Sequence, residues 1–395
     1  MEATEHRRLI LHDFVTLDDC KELEFIHKSC STVGYRPNVL STTLSHLIAT
    51  NCPNLILPFV PIRERLKEKV EEFFGCEYEL CIEFTGLISW LKGASIGWHS
   101  DDNKPYLKQR DFTAVCYLNT YGEDFKGGLF HFQDREPETI MPSAGDVAIY
   151  TADSCNTHLV DEVTDGERLT LTLWFSRDSN HDEDAKLISL LSQRIMDNSL
   201  NMPNLCLPMP ASINMYWFSP NQDFDHQSGF NLCCGRMHVL GFDIYVSPAS
   251  NCLTDCLDAL MEPLQVVRGE ELFQQEFVNI LHALQVLQFY FWKASVFQTS
   301  KGKAETGKVV LLSQLKQEEI SRLKSLFIRD CQVAQRVFNY ETRESDGQHH
   351  FDWAIFSAAI AAWEAYTGKL YNELVTSLPY WRTNQSIYTV SFEES

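Results

Sequence analysis

WHSDD at residues 98–102 and HLVDEVTDGERLTLTLWFSR at 158–177 are the two segments that decide how this chain folds. In the second, Arg168, Thr170, Thr172 and Trp174 alternate strictly with Leu169, Leu171, Leu173 and Phe175. Alternation with period two predicts a strand that buries one apolar face and turns the other toward a different environment. In the first, His99 and Asp101 are two apart, so an extended chain would turn both to one face of a sheet. His158 lies 57 residues beyond Asp101 on another short apolar stretch, so only folding can bring it alongside. Two imidazoles and one carboxylate, with the third member far along the chain, make the pattern of a facial triad for non-haem Fe(II). Three protein ligands leave open positions on an octahedral metal.

The residues between these segments read as further short strands. DFTAVCYL at 111–118 is rich in β-branched and aromatic residues, 119–126 reads as a turn, and GGLFHF at 127–132 alternates. PSAGD at 142–146 is a turn before VAIY. Short strands separated by Gly, Pro and Asp predict a sandwich or a partly closed barrel. Such an interior can hold one small ligand. Arg168, facing inward on the strand after His158, is suited to grip a carboxylate bidentately at the far end of that space.

WHSDD, RDFTAVCYLN, GGLFHF, HLV and GERLTLTLWF together resemble the double-stranded β-helix core of the 2-oxoglutarate and Fe(II)-dependent dioxygenases. Within these the likeness is to the prolyl hydroxylase branch, and most to its prolyl 3-hydroxylase subgroup. The resemblance implies a jelly-roll β core with flanking helices. It assigns His99, Asp101 and His158 to Fe(II), and Arg168 to the distal carboxylate of 2-oxoglutarate. Tyr117 would hydrogen-bond the same carboxylate, Thr170 would assist it, and Trp90 stands where many relatives carry a tyrosine. The implied reaction hydroxylates an unactivated C–H bond, best a peptidyl proline, with release of succinate and CO2. Ascorbate is the implied reductant. Alternatives are hydroxylation of a peptidyl lysine or a small molecule, a cupin-like metalloprotein or hydrolase that has no need of Arg168, and an inactive metal-binding scaffold.

Composition narrows the partners. A net charge of -21 over 395 residues argues against a generic nucleic-acid or anionic-membrane binder, since phosphate contacts need clustered Lys and Arg. A protein or peptide substrate is compatible with it. Neither a secretory segment nor an apolar run long enough for a membrane span stands out, so a cytoplasmic or nuclear location is expected. The 13 cysteines are odd in number and irregularly spaced, which predicts free thiols in a reducing compartment.

Taken in order, residues 1–250 are expected to form the oxygenase domain with its core at 78–178, and 251–395 a helical accessory domain that could mediate oligomer formation. Thr16 with Asp19 three residues on predicts a capped helix after a strand at 9–14. Residues 35–53 look polar and turn-rich, a loop near the cavity mouth. PIRERLKEKVEEFF predicts a helix at 61–74 ended by Gly75, with Ile62, Leu66, Val70 and Phe73 as its stripe. Residues 102–110 read as a loop beside the metal. A further helix begins near Asn180, and Gly368 is expected to split or end a helix at 351–378. Asp102 is the rival carboxylate of wrong parity, His131 reads as a satisfied histidine, Asn156 as a residue orienting a ligand, and Trp98 as packing beneath the metal strand.

Overall fold

The computed structural model describes residues 7–30, 32–33, 38–49, 52–197, the helical residues 285, 288, 289, 292 and 293, and 353–391. The expected boundary at residue 250 and most of the expected helical domain at 251–395 lie outside these residues. Twelve strands are described: β1 (Arg8–Leu11), β2 (Thr32–Val33), β3 (Val39–Thr43), β4 (Cys81–Leu91), β5 (Ile96–His99), β6 (Phe112–Tyr117), β7 (Phe125–Gly127), β8 (Phe130–Phe132), β9 (Thr139–Ile140), β10 (Val147–Thr151), β11 (His158–Val160) and β12 (Val163–Ser176). The larger sheet runs β1-β10-β6-β12-β4-β3-β2, with β7 paired to β12, and the smaller runs β5-β11-β8-β9. The expected jelly roll is met at the level of two antiparallel sheets backed by helices.

The alternation of β12 sorts two cores. Leu169, Leu171, Leu173 and Phe175 are buried against α1 (Leu17–Cys30), α2 (Leu44–Ala49), α3 (Val60–Phe74) and α4 (Glu183–Asp197). Between the sheets lies a second cluster, with Ile88, Trp90, Val115, Tyr117 and Tyr150 from the larger and Ile96, Phe130, Phe132 and Val160 from the smaller. One layer therefore stabilises the scaffold by apolar burial, and the other packs the two sheets against each other.

Local signals set the helices. The Asp19 amide donates to the Thr16 hydroxyl at 3.1 Å, the cap expected for α1. Gly75 ends α3 with φ of 65°, a left-handed cap that costs glycine little. The stretch at 35–53 is corrected where it is described: β3 is buried along its whole length, and α2 follows it directly. Its hydroxyls give it the look of a loop, yet they are satisfied internally. Thr42 meets His27 Nδ1 at 3.0 Å, and Thr43 accepts the His46 amide at 3.1 Å to cap α2. His27 is wholly enclosed between Thr42 and Ser89, and burial pushes it down to about 3.

A long helix, α5 (Trp353–Asn384), runs through Gly368 and Pro379 without a break, against the expected split. Its Leu370, Leu374, Leu378 and Trp381 share a core with Leu23 and Phe25 of α1 and Leu66 of α3. Beyond it, the Ile387 amide donates to Asp184 at 2.8 Å and the Thr389 amide to Glu64 at 2.7 Å. Asp184 also receives the buried Arg63 at 2.6 Å, so one carboxylate joins α3, α4 and the last described segment. Phe289 and Trp292 pack on Phe25 as well, with ring centroids 5.6 and 5.1 Å away. No helix among the described residues is long and apolar enough to cross a membrane.

Candidate metal centre

His99 closes β5 and His158 opens β11, and the antiparallel register makes them direct cross-strand partners. Asp101 lies in the turn after β5, not on the strand, and its side chain folds back to the pair. One donor atom from each of the three residues lies within 4.8 Å of the others. His158 Nε2 and Asp101 Oδ1 are 3.8 Å apart.

Each member is oriented by its own surroundings. His99 Nδ1 donates to the Gly97 carbonyl at 2.8 Å, and His158 Nδ1 to the Asn156 carbonyl at 2.9 Å. A proton fixed on Nδ1 leaves the Nε2 lone pair free on both rings. Asp101 Oδ2 accepts the Thr113 hydroxyl at 2.7 Å and the Tyr150 phenol at 3.2 Å, which leaves Oδ1 turned toward His158. Burial raises the Asp101 carboxyl, but His158, the Thr113 hydrogen bond and His99 outweigh it and hold it below its usual range. Burial, with His99 and Arg168 nearby, pushes His158 down to about 4 against the attraction of Asp101. A neutral imidazole and an ionised carboxylate are the ligand states a divalent metal needs. The Tyr150 phenol is raised well above its usual value, by burial first and by Asp101 next, so it remains a donor.

On the larger sheet, across from the histidines of the smaller one, the register gathers the four residues expected to meet a co-substrate. Arg168 pairs with Trp90, and Thr170 pairs with both Ile88 and Tyr117. The Arg168 Cζ lies 5.2 Å from the Tyr117 ring centroid and 5.9 Å from that of Trp90. Arg168 is 3% exposed, and no carboxylate pairs with it among the described residues. Its Nε is buried without a hydrogen-bond partner, and the Tyr117 hydroxyl has the Arg168 guanidinium as its polar neighbour. Burial raises the Tyr117 phenol despite Arg168, so it too is a protonated donor. The Thr170 hydroxyl donates to the Ile88 carbonyl at 3.3 Å and retains its acceptor capacity. A buried guanidinium without a counter-charge is costly to maintain. An anion of the right length is the group that would compensate it.

Other residues resolve plainly. Asp102 turns away and pairs with Lys108 at 2.6 Å. His131 is held by Thr139 at 2.8 Å and Asp161 at 2.7 Å, a satisfied histidine outside the centre. Asn156 orients His158 through its main-chain carbonyl, while its side chain is engaged by Arg8 and Thr151. Trp98 is corrected: it is 54% exposed, because a register shift adds one residue to β5 between Ile96 and His99, so Trp98 leaves the buried face of Ile96. Sequence reasoning missed Thr113 and Tyr150. They are cross-strand partners in the β6–β10 ladder, and a polar residue on each of two adjacent apolar strands was the available signal.

An N,N,O donor set beside an unpaired buried guanidinium defines an oxygenase-type iron site. Residues 86–176 match the 2OG-Fe(II) oxygenase superfamily model, so that segment of the chain is similar to the superfamily's core. Over 85 residues it is 38% identical to human "2-oxoglutarate and iron-dependent oxygenase domain-containing protein 3", covering 21% of this chain and 27% of that one. Over 218 residues it is 24% identical to Gallus gallus "Prolyl 3-hydroxylase 1", covering 45% of this chain and 30% of that one. The chain thus spans less than a third of the length of these relatives. Among solved structures, a Pseudomonas putida prolyl-4-hydroxylase aligns at TM-score 0.36 and 15% identity, over 45% of this chain and 95% of the other.

Proposed function

We propose that this chain is an Fe(II)- and 2-oxoglutarate-dependent hydroxylase that acts on an unactivated C–H bond, with a peptidyl proline as its preferred substrate. The observation that carries the reading is the buried, uncompensated Arg168, near enough to His158 of the His99, Asp101 and His158 set to act on it electrostatically. A cupin-like or hydrolytic metal site has no need of that guanidinium. The two histidines offer Nε2 and Asp101 offers Oδ1 to the metal, while Arg168 and Tyr117 offer donors to the far carboxylate of the co-substrate. When bound, iron and 2-oxoglutarate supply the oxidation by O2, with succinate and CO2 released.

What the protein contributes is placement and dryness. Thr113 and Tyr150 hold one oxygen of Asp101, so the carboxylate presents the other in a fixed direction. Ile88, Trp90, Val115, Phe130 and Val160 belong to the buried apolar cluster between the sheets, and that cluster keeps bulk water from the residues beside it. The proline preference rests on the likeness to the prolyl hydroxylase branch. Ascorbate as reductant, a cytoplasmic or nuclear location, the division at residue 250 and an accessory or oligomer-forming role for the later part belong to the same proposal.

The test is an anaerobic titration of the metal-free protein with Fe(II) and then 2-oxoglutarate, followed by aerobic assay on proline-containing peptides. A visible charge-transfer band and peptide-dependent succinate support the reading. Folded protein that gives neither would sink it. Peptide-independent turnover would move the substrate to another class.

A further inference from the structure

Arg8 stands at the start of β1, outside the triad and outside the Arg168 cluster. Its cross-strand partner is Tyr150, the residue that holds Asp101. Its donors go to neutral acceptors. Nε meets Asn156 Oδ1 at 3.1 Å, Nη1 meets the carbonyls of Arg135 at 3.2 Å and Pro137 at 3.1 Å, and Nη2 meets the Asp134 carbonyl. The guanidinium lies over Phe132, with Cζ 3.8 Å from the ring centroid.

Two of these partners are one contact from His158. Phe132 is its strand neighbour on the β8 side, and the two rings meet edge-on at 6.2 Å. Asn156 is 1% exposed and gives its main-chain carbonyl to His158 Nδ1 at 2.9 Å. The Asn156 side chain is pinned between Arg8 and the Thr151 hydroxyl, the latter at 2.8 Å. A planar fork with a face that stacks can hold an amide, a turn and an aromatic ring at once, which an ammonium cannot.

We propose that Arg8 is a positioning residue for the distal metal ligand, fixing the ring orientation and tautomer of His158 through Asn156 and Phe132. The inference rests on His99, Asp101 and His158 forming a metal centre. Its probe is Co(II) titrated into metal-free protein and followed by the visible spectrum, with thermal midpoints measured in parallel. Arg8→Ala is expected to weaken Co(II) binding by about tenfold or more, the usual cost of losing a group that orients a ligand. Arg8→Lys, which keeps charge and reach without the fork, should not restore it, and carries the same expectation if Arg8→Ala does not fold. Asn156→Ala should weaken binding too, and the double variant should be no weaker than the worse single one.

Arg65→Ala is the control. It removes a similar guanidinium contact, 4.6 Å over Phe14, away from the site. It should lower the thermal midpoint and leave Co(II) affinity unchanged. Wild-type affinity in both Arg8 variants, additive losses with Asn156→Ala, or an equal loss in Arg65→Ala would each overturn the proposal. A wild-type protein that takes no Co(II) would overturn the metal centre itself, which is a different result.

Discussion

His99 and His158 face each other across one rung of the β5–β11 ladder, with ring centroids 4.3 Å apart and planes inclined at 58°. Two strand ends therefore deliver two imidazoles to one point without any loop having to be ordered. Removing either ring is expected to abolish tight metal binding while leaving the fold, because both sit at strand termini. His158→Ala and His99→Ala should bind Co(II) at least about 100-fold more weakly at near-wild-type thermal midpoints. Retained tight binding by either variant would place the metal elsewhere.

Arg168 has no protein counter-charge among the described residues, so 2-oxoglutarate affinity should depend on it more than metal affinity does. Loss of a buried charge's partner costs about 3–5 kcal/mol. Arg168→Ala should therefore lose on the order of 100-fold or more in 2-oxoglutarate affinity by calorimetry on metal-loaded protein, with Co(II) affinity little changed. Arg168→Lys should recover only part, since it lacks the bidentate fork. Equal affinity in all three proteins would exclude this arginine from the co-substrate site.

Tyr150 and Thr113 both donate to the same oxygen of Asp101. Tyr150→Phe removes one donor without changing ring volume. It should weaken Co(II) binding by about tenfold and alter the visible spectrum as Asp101 gains freedom to rotate. An unchanged spectrum would show that Thr113 alone suffices.

The pH dependence of the metal-free fold carries a signature of His27. Burial first, and then Lys28, push it down to about 3 against the pull of Glu24. As pH falls through about 6.5, the unfolded chain binds a proton there that the folded chain does not. Stability is lost as pH falls across that window, by about 1.4 kcal/mol per pH unit for one such group. His27→Gln, which still offers a donor and an acceptor between Thr42 and Ser89, should flatten the slope by that amount between about pH 6 and 4.5. Denaturant midpoints across the range provide the measurement, and parallel slopes would refute the assignment.

Trp381 is fully buried in the scaffold core, and its indole donates to the Tyr388 carbonyl at 2.7 Å. Trp381→Ala should destabilise the whole oxygenase fold by about 3–5 kcal/mol. Loss of Co(II) binding should coincide with unfolding of the β core in the same transition. Separate transitions would mean that α5 stands apart.

Much of the site is legible in the sequence because strands make it so. The alternation of β12 names both its faces, and the two-residue spacing of His99 and Asp101 holds even though Asp101 belongs to the turn. Hidden from the sequence are features that pairwise register creates. Thr113 and Tyr150 become neighbours only when β6 pairs with β10, and Arg8 reaches Asn156 from far along the chain. The segment at 35–53 misleads because buried hydroxyls look the same on paper as exposed ones. Trp98 misleads because its hydrophobicity and its spacing from Ile96 suggest burial, while a register shift in β5 exposes it. Helix α5 outlasts its glycine because its apolar residues are held from outside, and tertiary burial outweighs the roughly 1 kcal/mol that a helical glycine costs.

The sharing of one apolar cluster by Leu23, Leu66 and Trp381 also has a consequence in time. On a ribosome, the wall behind β12 stays unfinished until the chain near residue 391 emerges, long after every metal ligand has been made. A nascent chain arrested at residue 352 should therefore be readily cut by protease within its α1 and α3 regions, whereas the full-length chain, once released, should resist.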